Sequence, residues 1–186
     1  KTVVIYPESG PWVKPPRIVP ADAVRTVGGR MDFQGNELRP FDEATAVAAA
    51  RWFRDRGITT LGVCFLHSYA NDSHELAMRE ILRREHPEAV VSISSEVLRE
   101  YREYERSMTT LVDAAVKPNV SRYVTNSHTR LAQFSAEEIP FYIMKSNGGY
   151  LSSDAVVHQP ITTVLSGSSA WAPVAAPTAR RWNWRA

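Results

Sequence analysis

One short stretch of the chain combines an apolar run with a turn that could face a ligand. Residues 141–144 have the length and the β-forming content of a buried strand, and Ser146, Asn147, Gly148 and Gly149 follow almost at once. Asn tolerates a positive φ and Gly adopts one freely, so this turn can expose its backbone amides. In open α/β sheets, ligands bind outside the carboxyl ends of the strands. The turn is therefore a candidate ligand loop, and an ordinary strand-to-loop turn is the alternative.

A second stretch, residues 100–106, is crowded with glutamates and arginines. A carboxylate beside an arginine can orient a substrate, hold a metal-bound phosphate or act as a base. A solvated charged face with weak ion pairs is the alternative, and the residue types alone favour it.

The residue types give little indication of a metal site, a reactive cysteine, a serine-hydrolase site or a nucleotide site. The spacings of His67, His74 and His86 lack the pattern that places metal ligands on one face, so no metal site is predicted and His67 is read as a hydrogen-bonded structural histidine. Cys64 lies in an apolar run and is predicted to be a small buried side chain. The chain has no serine-hydrolase elbow and no glycine-rich phosphate loop, and therefore shows no complete nucleotide site of its own.

The bulk composition excludes several classes of protein. The 186 residues carry a net charge of +2, which gives no sign of binding to nucleic acid or to an anionic membrane. No apolar run reaches the length of a membrane span. The single cysteine cannot form an internal disulfide, which fits a reducing compartment and predicts a cytoplasmic protein.

The periodicity of the chain predicts strands that alternate with helices. Residues 59–66, 89–94 and 141–144 are apolar runs, and we expect them to be neighbouring parallel strands of one sheet with helices packed on it. A β-hairpin is predicted before them, with strands in residues 24–31 and 37–39. Prolines make residues 1–20 an extended connector, residues 21–167 form the α/β domain, and the Arg- and Trp-rich residues 168–186 read as a disordered tail.

Local signals place the helices. Asp42 is predicted to cap the first helix and Gly57 to end it. Asp72 and Glu75 have the spacing of a capping box for a helix that runs to residue 85. Ser107 is predicted to cap a long helical region, and Pro118 inside it predicts a kink or two abutting helices.

Four segments together resemble the hydantoinase A / 5-oxoprolinase / acetone carboxylase family. Residues 92–97 read SISSEV, residues 101–110 read YREYERSMTT, residues 146–149 read SNGG and residues 163–167 read TVLSG. The match extends over roughly residues 16 to 167, and the motifs are specific in combination. The chain departs from the family pattern after residue 167, where serines replace Pro-Ala.

The resemblance implies a fold, an activity and an incomplete chain. The implied fold is α/β, with parallel βαβ units of an actin-like (ribonuclease H-like) ATPase fold, incomplete and preceded by the β-hairpin. The implied activity is ATP-driven activation of a lactam or imide carbonyl for ring opening, as in a hydantoinase or 5-oxoprolinase. An acetone carboxylase-like ketone carboxylase and a non-catalytic α/β lobe are the alternatives. The family's first phosphate loop has no counterpart here, so a central fragment, inactive by itself, is expected.

The resemblance also implies site residues, cofactors and partners. Glu103, Glu105 and Arg106 match the family's Glu-Tyr-Glu-Arg motif and become the candidate catalytic side chains. The candidate substrate or nucleotide loops contain Ser146, Asn147, Gly148, Gly149, Ser166 and Gly167. ATP and Mg²⁺ or another divalent cation are implied for the full-length enzyme, with none expected to bind this chain. A companion hydantoinase B-type subunit or domain and a small cyclic amide or ketone are the implied partners, and a homo-oligomer is left open.

Overall fold

The computed structural model describes residues 18–134, 140–164 and 166. A 3₁₀ helix at Ala21–Ala23 is followed by β1 (Arg30–Met31), β2 (Glu37–Arg39), α1 (Glu43–Asp55), β3 (Thr60–Val63), α2 (Ser73–Glu85), β4 (Val90–Ile93), α3 (Ser94–Val97), α4 (Glu103–Leu131), β5 (Tyr142–Met144), β6 (Tyr150–Ser152), α5 (Ser153–His158) and a second 3₁₀ helix at Pro160–Thr163. Most of the predicted connector, together with Gly167 and the predicted tail, lies outside the described residues.

The centre of the fold is a parallel βαβ unit, β3-α2-β4, as the apolar runs predict. The two strands pair in parallel register, with Leu61 opposite Val91. Leu61 and Val63 belong to one buried cluster with side chains of α1, α2 and β4. Gly62 points to the opposite face, where an added Cβ would come within 3.0 Å of Leu111 Cδ2 in α4. The sheet is therefore covered by α1 and α2 on one face and by α4 on the other.

The end signals of α1 are confirmed. The Asp42 carboxylate accepts a hydrogen bond from the Thr45 amide at 3.1 Å, and the helix ends before Gly57, whose φ is 64°. The capping box predicted for α2 is wrong, because the Asp72 side chain makes no hydrogen bond that caps the helix. The Asn71 side chain instead accepts from the Ser73 amide at 3.0 Å.

The β1–β2 hairpin is also confirmed, although β1 is shorter than predicted. Its turn is organised by Asp32, whose carboxylate accepts hydrogen bonds from the backbone amides of Gln34 and Asn36 and from the Asn36 side chain. The hydrogen bond from the Asn36 side chain is the largest of the effects that lower the pKa of the Asp32 carboxyl below its ordinary value.

The prediction that residues 141–144 form a third parallel strand is wrong. β5 pairs antiparallel with β6, with Ile143 opposite Leu151, and the two strands form a separate two-stranded sheet. The reason lies in the turn between them. Gly148 and Gly149 have φ values of 86° and 75°, so the chain reverses at once and the local hairpin pairing forms.

The long helix is one element rather than two. α4 begins at Glu103, four residues before the predicted cap, and its 29 residues continue through Pro118. Ser107 lies inside the first turns and donates to the Tyr104 carbonyl at 2.8 Å. Proline removes one helical hydrogen bond, and packing of α4 on the sheet keeps the helix whole. No helix among the described residues is both long and apolar enough to cross a membrane.

Candidate functional site at the carboxyl edge of the sheet

A fully buried carboxylate, Glu75, joins the carboxyl ends of the two parallel strands. It extends from α2 and accepts hydrogen bonds from the Phe65 amide at 2.9 Å and the Ser95 amide at 2.8 Å. The hydroxyl groups of Ser68 and Ser94 donate to the same carboxylate at 2.8 and 2.6 Å. Three of these donors reach Oε1 and the Ser95 amide reaches Oε2, so both carboxylate oxygens are engaged within the protein. Glu75 therefore fixes the loops that follow β3 and β4.

Arg106 secures the same strand end from the other face of the sheet. Its side chain is fully buried, and its terminal nitrogens donate to the Phe65 carbonyl at 2.6 Å and to the Glu100 carbonyl at 2.9 Å. A longer contact of 3.8 Å reaches Cys64 Sγ. Phe65 is thus bonded to Glu75 through its amide and to Arg106 through its carbonyl. The predicted catalytic arginine therefore lies buried beneath the edge of the sheet, and its catalytic role stays a prediction.

The two predicted catalytic glutamates lie in the first turn of α4. The Glu105 side chain is 48% exposed, and its carboxylate lies 3.9 Å from the guanidinium of Arg102. A hydrogen bond to Tyr101, followed by the charges of Tyr101 and Glu105, raises the pKa of Arg102 above its ordinary value. Glu103 is half-buried. Glu105 therefore has an accessible carboxylate in the first turn of α4, and its catalytic role stays a prediction.

The Ser146–Gly149 turn is fastened to the second 3₁₀ helix. The Ser146 amide and hydroxyl both donate to the Thr162 carbonyl, at 2.7 and 2.9 Å, and the hydroxyl also contacts the Val164 carbonyl. The Gly148 amide donates to the Lys145 carbonyl at 3.2 Å. Two of the four backbone amides in this turn are therefore engaged within the protein, which limits its capacity to cradle a phosphate.

A cavity of about 280 Å³ adjoins this turn and is lined by Lys145, Ser146, Asn147, Ile161 and Thr162. It is connected to the sheet through Asp113 of α4, a fully buried carboxylate. Asp113 accepts hydrogen bonds from the Ile161 amide at 3.0 Å and from the Ser92 hydroxyl at 2.7 Å. The ammonium group of Lys117 lies 3.7 Å away. Asp113 thus joins the second 3₁₀ helix, to which the turn is bonded, to β4.

The two groups of predicted site residues occupy different heights along α4. Arg106 and Asp113 are seven residues apart, which is about 10 Å of helix. Arg106 lies at the carboxyl edge of the sheet, whereas Asp113 bonds to Ile161 of the second 3₁₀ helix, to which the Ser146 turn is fastened. Ser166 is half-buried, and Gly167 lies outside the described residues.

The described residues fit part of an ATP site rather than a whole one. The 280 Å³ cavity is smaller than the roughly 300–1,000 Å³ of typical ligand pockets. A lysine and an asparagine in its lining suit a single phosphoryl group. No cluster of three or more metal-ligating side chains occurs among residues 18–134 and 140–164.

Two protein-family models match the chain. The family described as "Hydantoinase/oxoprolinase N-terminal region" matches residues 11–86, and the family described as "Hydantoinase/oxoprolinase" matches residues 106–183. The chain belongs to the hydantoinase/oxoprolinase family. The second match includes much of the predicted tail.

Relatives of this hydantoinase/oxoprolinase chain include subunits of a lactamase and of a ketone carboxylase. Caprolactamase subunit alpha of Pseudomonas jessenii is 31% identical over 162 residues, which is 87% of this chain and 22% of the relative. The acetophenone carboxylase gamma subunit of Aromatoleum aromaticum is 36% identical over 106 residues, 54% of this chain and 14% of the relative. The chain thus spans about a fifth or less of these relatives.

Solved structures give the same fold. A nucleotide-free acetone carboxylase matches with a TM-score of 0.77 and 24% identity, over 91% of this chain and 24% of that one. An ATP-dependent caprolactamase of P. jessenii matches with a TM-score of 0.69 and 29% identity, over 84% of this chain and 24% of that one. The implied α/β ATPase fold of the hydantoinase/oxoprolinase family is therefore confirmed.

Sequence patterns missed much of the sheet edge. Glu75 has capping-box spacing, yet three of its donors lie 10 to 20 residues away in the sequence, so no local pattern identifies them. Cys64 is exposed rather than buried, because β3 ends at Val63. His67 has a φ of 59° and a buried Nδ1 without a hydrogen-bond partner, in place of the predicted structural bond. By contrast, His74 and His86 bond to Glu37 and to the Ile58 carbonyl.

Proposed function

We propose that the full-length protein is an ATP-dependent hydrolase that opens cyclic amides. The supporting observation is the 31% identity to caprolactamase subunit alpha over 87% of this chain. Caprolactam is a lactam, so that relative acts on an amide within a ring. An amide carbonyl is a poor electrophile, and transfer of a phosphoryl group to its oxygen makes the carbon open to attack by water.

The chemistry of ring opening assigns tasks to residues of this chain. Phosphoryl transfer from ATP to the carbonyl oxygen is followed by addition of water at the carbon and cleavage of the C–N bond. This leaves an acyl phosphate, and a second water attacks its acyl carbon, breaks the C–O bond and releases phosphate that carries the oxygen of the original carbonyl. Lys145 and Asn147 in the cavity lining suit the charge of a phosphoryl group. The accessible Glu105 carboxylate can accept a proton from the attacking water or orient a divalent cation.

A companion subunit belongs to this proposal. Caprolactamase subunit alpha and the acetophenone carboxylase gamma subunit are both named as parts of larger assemblies. We therefore assign the full-length protein a partner of the hydantoinase B type. With Mg²⁺ or a similar divalent cation, ATP would bind between this lobe and other parts of the assembly, because phosphoryl transfer needs donors from several sides.

Carboxylation of a ketone is the second candidate function. The acetophenone carboxylase gamma subunit is 36% identical over the part that it shares with this chain, which is higher than the identity to the caprolactamase subunit. Phosphorylation of a carbonyl oxygen serves both reactions. In the ketone, loss of a proton from the α-carbon accompanies it and gives an enol phosphate, whose α-carbon then bonds to a carboxyl donor while water takes the phosphoryl group. The two candidates therefore differ in the substrate and not in the use of ATP.

A substrate panel separates the two candidates. The full-length protein, purified with its companion, is supplied with Mg²⁺-ATP and either caprolactam, hydantoin, 5-oxoproline, or acetone or acetophenone with bicarbonate. ADP formation that depends on a cyclic amide, together with the ring-opened product, supports the hydrolase. ADP formation only with a ketone and bicarbonate supports the carboxylase. No substrate-dependent ADP formation in the whole panel would contradict both.

The isolated 186-residue chain is expected to show no ATP-dependent hydrolysis of hydantoin or 5-oxoproline. The described cavity is smaller than a typical ligand pocket, and a site open to water loses the low-dielectric gain on which charged groups depend. Coupled measurement of ADP and ring-opened product tests this, with the full-length assembly as the positive control. Turnover by the purified chain that Asn147→Ala abolishes would show that the site is complete here.

A further inference from the structure

A buried carboxylate in the middle of α4 is bonded to two other parts of the fold. Asp113 is completely inaccessible to solvent. Its Oδ2 atom accepts a hydrogen bond from the Ser92 hydroxyl of β4 at 2.7 Å, and its Oδ1 atom accepts one from the Ile161 amide of the second 3₁₀ helix at 3.0 Å. Burial of a charged group is costly unless its partners are well placed, so this carboxylate needs an explanation beyond the stability of α4.

A lysine compensates the charge of this carboxylate. The ammonium group of Lys117, one helical turn further along α4, lies 3.7 Å from Asp113 Oδ2 and donates to the Ser92 hydroxyl at 3.3 Å. Apolar side chains of similar size often stabilise a fold as well as a buried ion pair does, whereas an ion pair can fix the positions of its hydrogen-bond partners. The cluster of Ser92, Asp113 and Lys117 is therefore suited to holding Ile161 at a defined place relative to β4.

The bond to Ile161 reaches the cavity beside the Ser146 turn. Ile161 and Thr162 contribute to the lining of this cavity, and so does Ser146. The Thr162 carbonyl accepts hydrogen bonds from the Ser146 amide and hydroxyl at 2.7 and 2.9 Å. A shift of the second 3₁₀ helix would therefore move two parts of the lining together.

Strand pairing alone does not hold this region on the rest of the fold. β5 and β6 form their own two-stranded sheet, and among the described residues that sheet has no pairing with β3 or β4. A two-stranded hairpin by itself is marginally stable, so its placement depends on contacts with α4 and its neighbours. Two other side-chain bonds, His128 to Ser153 and Gln159 to the Glu96 carbonyl, attach α5 and the residue after it. Asp113, by contrast, bonds directly to a residue that lines the cavity.

We propose that Asp113 is a positioning residue, which fixes the part of the cavity lining formed by Ile161 and Thr162 relative to β4. Its carboxylate does not touch a ligand. It acts through the Ile161 amide and, by way of the Thr162 carbonyl, on the Ser146 turn. This assignment rests on the proposed function, in which the cavity takes part in the ATP-dependent reaction. A misplacement of about 1 Å can lower a rate by about 100-fold, so loss of this anchor should reduce turnover without unfolding the protein.

The test compares two substitutions of Asp113 in the full-length protein with its companion. Asp113→Ala removes both acceptors, whereas Asp113→Asn keeps the shape, an acceptor for the Ile161 amide and a polar group opposite the Ser92 hydroxyl. Both remove the negative charge beside Lys117, so both lose the ion pair. At a temperature where both proteins are folded, kcat should fall by about 10- to 100-fold in Asp113→Ala and by less than about threefold in Asp113→Asn. Asp55→Ala, at a side chain of α1 that is 62% exposed, is the matched control and should behave as the wild type does.

Hydrogen exchange of the backbone amides, followed by mass spectrometry without nucleotide or substrate, gives a measurement that does not depend on activity. In Asp113→Ala, residues 145–163 should exchange about 10-fold faster than in the wild type, the effect of one lost hydrogen bond, while β3 and β4 keep their rates. Asp113→Asn should stay near the wild type. The proposal is overturned by equal acceleration in β3 and β4, by no acceleration in residues 145–163, or by a kcat that is unchanged in Asp113→Ala or equally lowered in both variants. A wild type without substrate-dependent turnover would contradict the proposed function, and the exchange rates would still decide whether Asp113 holds the lining in place.

Discussion

Replacing Glu75 by alanine is expected to lower the free energy of unfolding by roughly 4 kcal/mol. The substitution leaves four donors without their acceptor, and all four lie at the ends of β3 and β4 or in the loops that follow. Burial hinders water from replacing the lost bonds, since the carboxylate is completely inaccessible. Urea unfolding of the 186-residue chain, followed by circular dichroism, measures the effect.

Two companion variants make this result specific to the buried carboxylate. Glu75→Gln keeps the shape of the side chain but places its amide N–H group opposite another hydrogen-bond donor. It should lower the free energy of unfolding by about 1–3 kcal/mol, which is less than the effect of Glu75→Ala. Glu80→Ala, on the same helix but with a side chain 64% exposed, should change stability by less than about 0.5 kcal/mol. Equal stability of the Glu75→Ala and Glu80→Ala proteins would show that Glu75 does not hold the strand ends together.

Replacing Glu105 by glutamine in the full-length enzyme is expected to lower turnover by about 10²–10⁴-fold, the usual contribution of a general acid or base. The folded structure should be almost unaffected, because the side chain is 48% exposed and its ion pair with Arg102 is long, at 3.9 Å. Steady-state kcat, measured beside the melting temperature, separates the two effects.

A matched carboxylate provides the control for Glu105. Glu88 is an exposed glutamate in the turn before β4, away from the first turn of α4, and Glu88→Gln should leave turnover unchanged. A loss of less than about threefold in Glu105→Gln would place Glu105 on an ordinary solvated face.

The parts of the fold that follow local rules could be predicted from the sequence. The cap at Asp42 and the glycine after α1 are short-range signals, and both appear in the structure. The apolar runs that become β3 and β4 are separated by an amphipathic helix, which is enough to predict a parallel pair. The same reasoning wrongly predicted β5 as a third parallel strand. An apolar run does not show which strand it pairs with, and the Gly148-Gly149 turn favours the antiparallel hairpin with β6.

The candidate site was only partly predictable, for a related reason. The segment containing Glu105 and Arg106 stands out as a charge cluster, yet the sequence does not show that one side chain faces solvent while the other is buried under the sheet. The bonds of Glu75 extend over 7 to 20 residues and cross from α2 to two strand ends. Such contacts follow from the packing of three elements and leave no local periodic trace.

The central claim is that ATP activates a substrate carbonyl by phosphorylating its oxygen, and a tracer tests it most directly. The full-length protein with its companion is given Mg²⁺-ATP and a cyclic amide that carries ¹⁸O at the ring carbonyl. The released inorganic phosphate is then analysed by mass spectrometry. The account predicts that ¹⁸O from the substrate appears in the phosphate, because the transferred phosphoryl group leaves with that oxygen. Ring opening with phosphate that contains no substrate oxygen would contradict this sequence of steps.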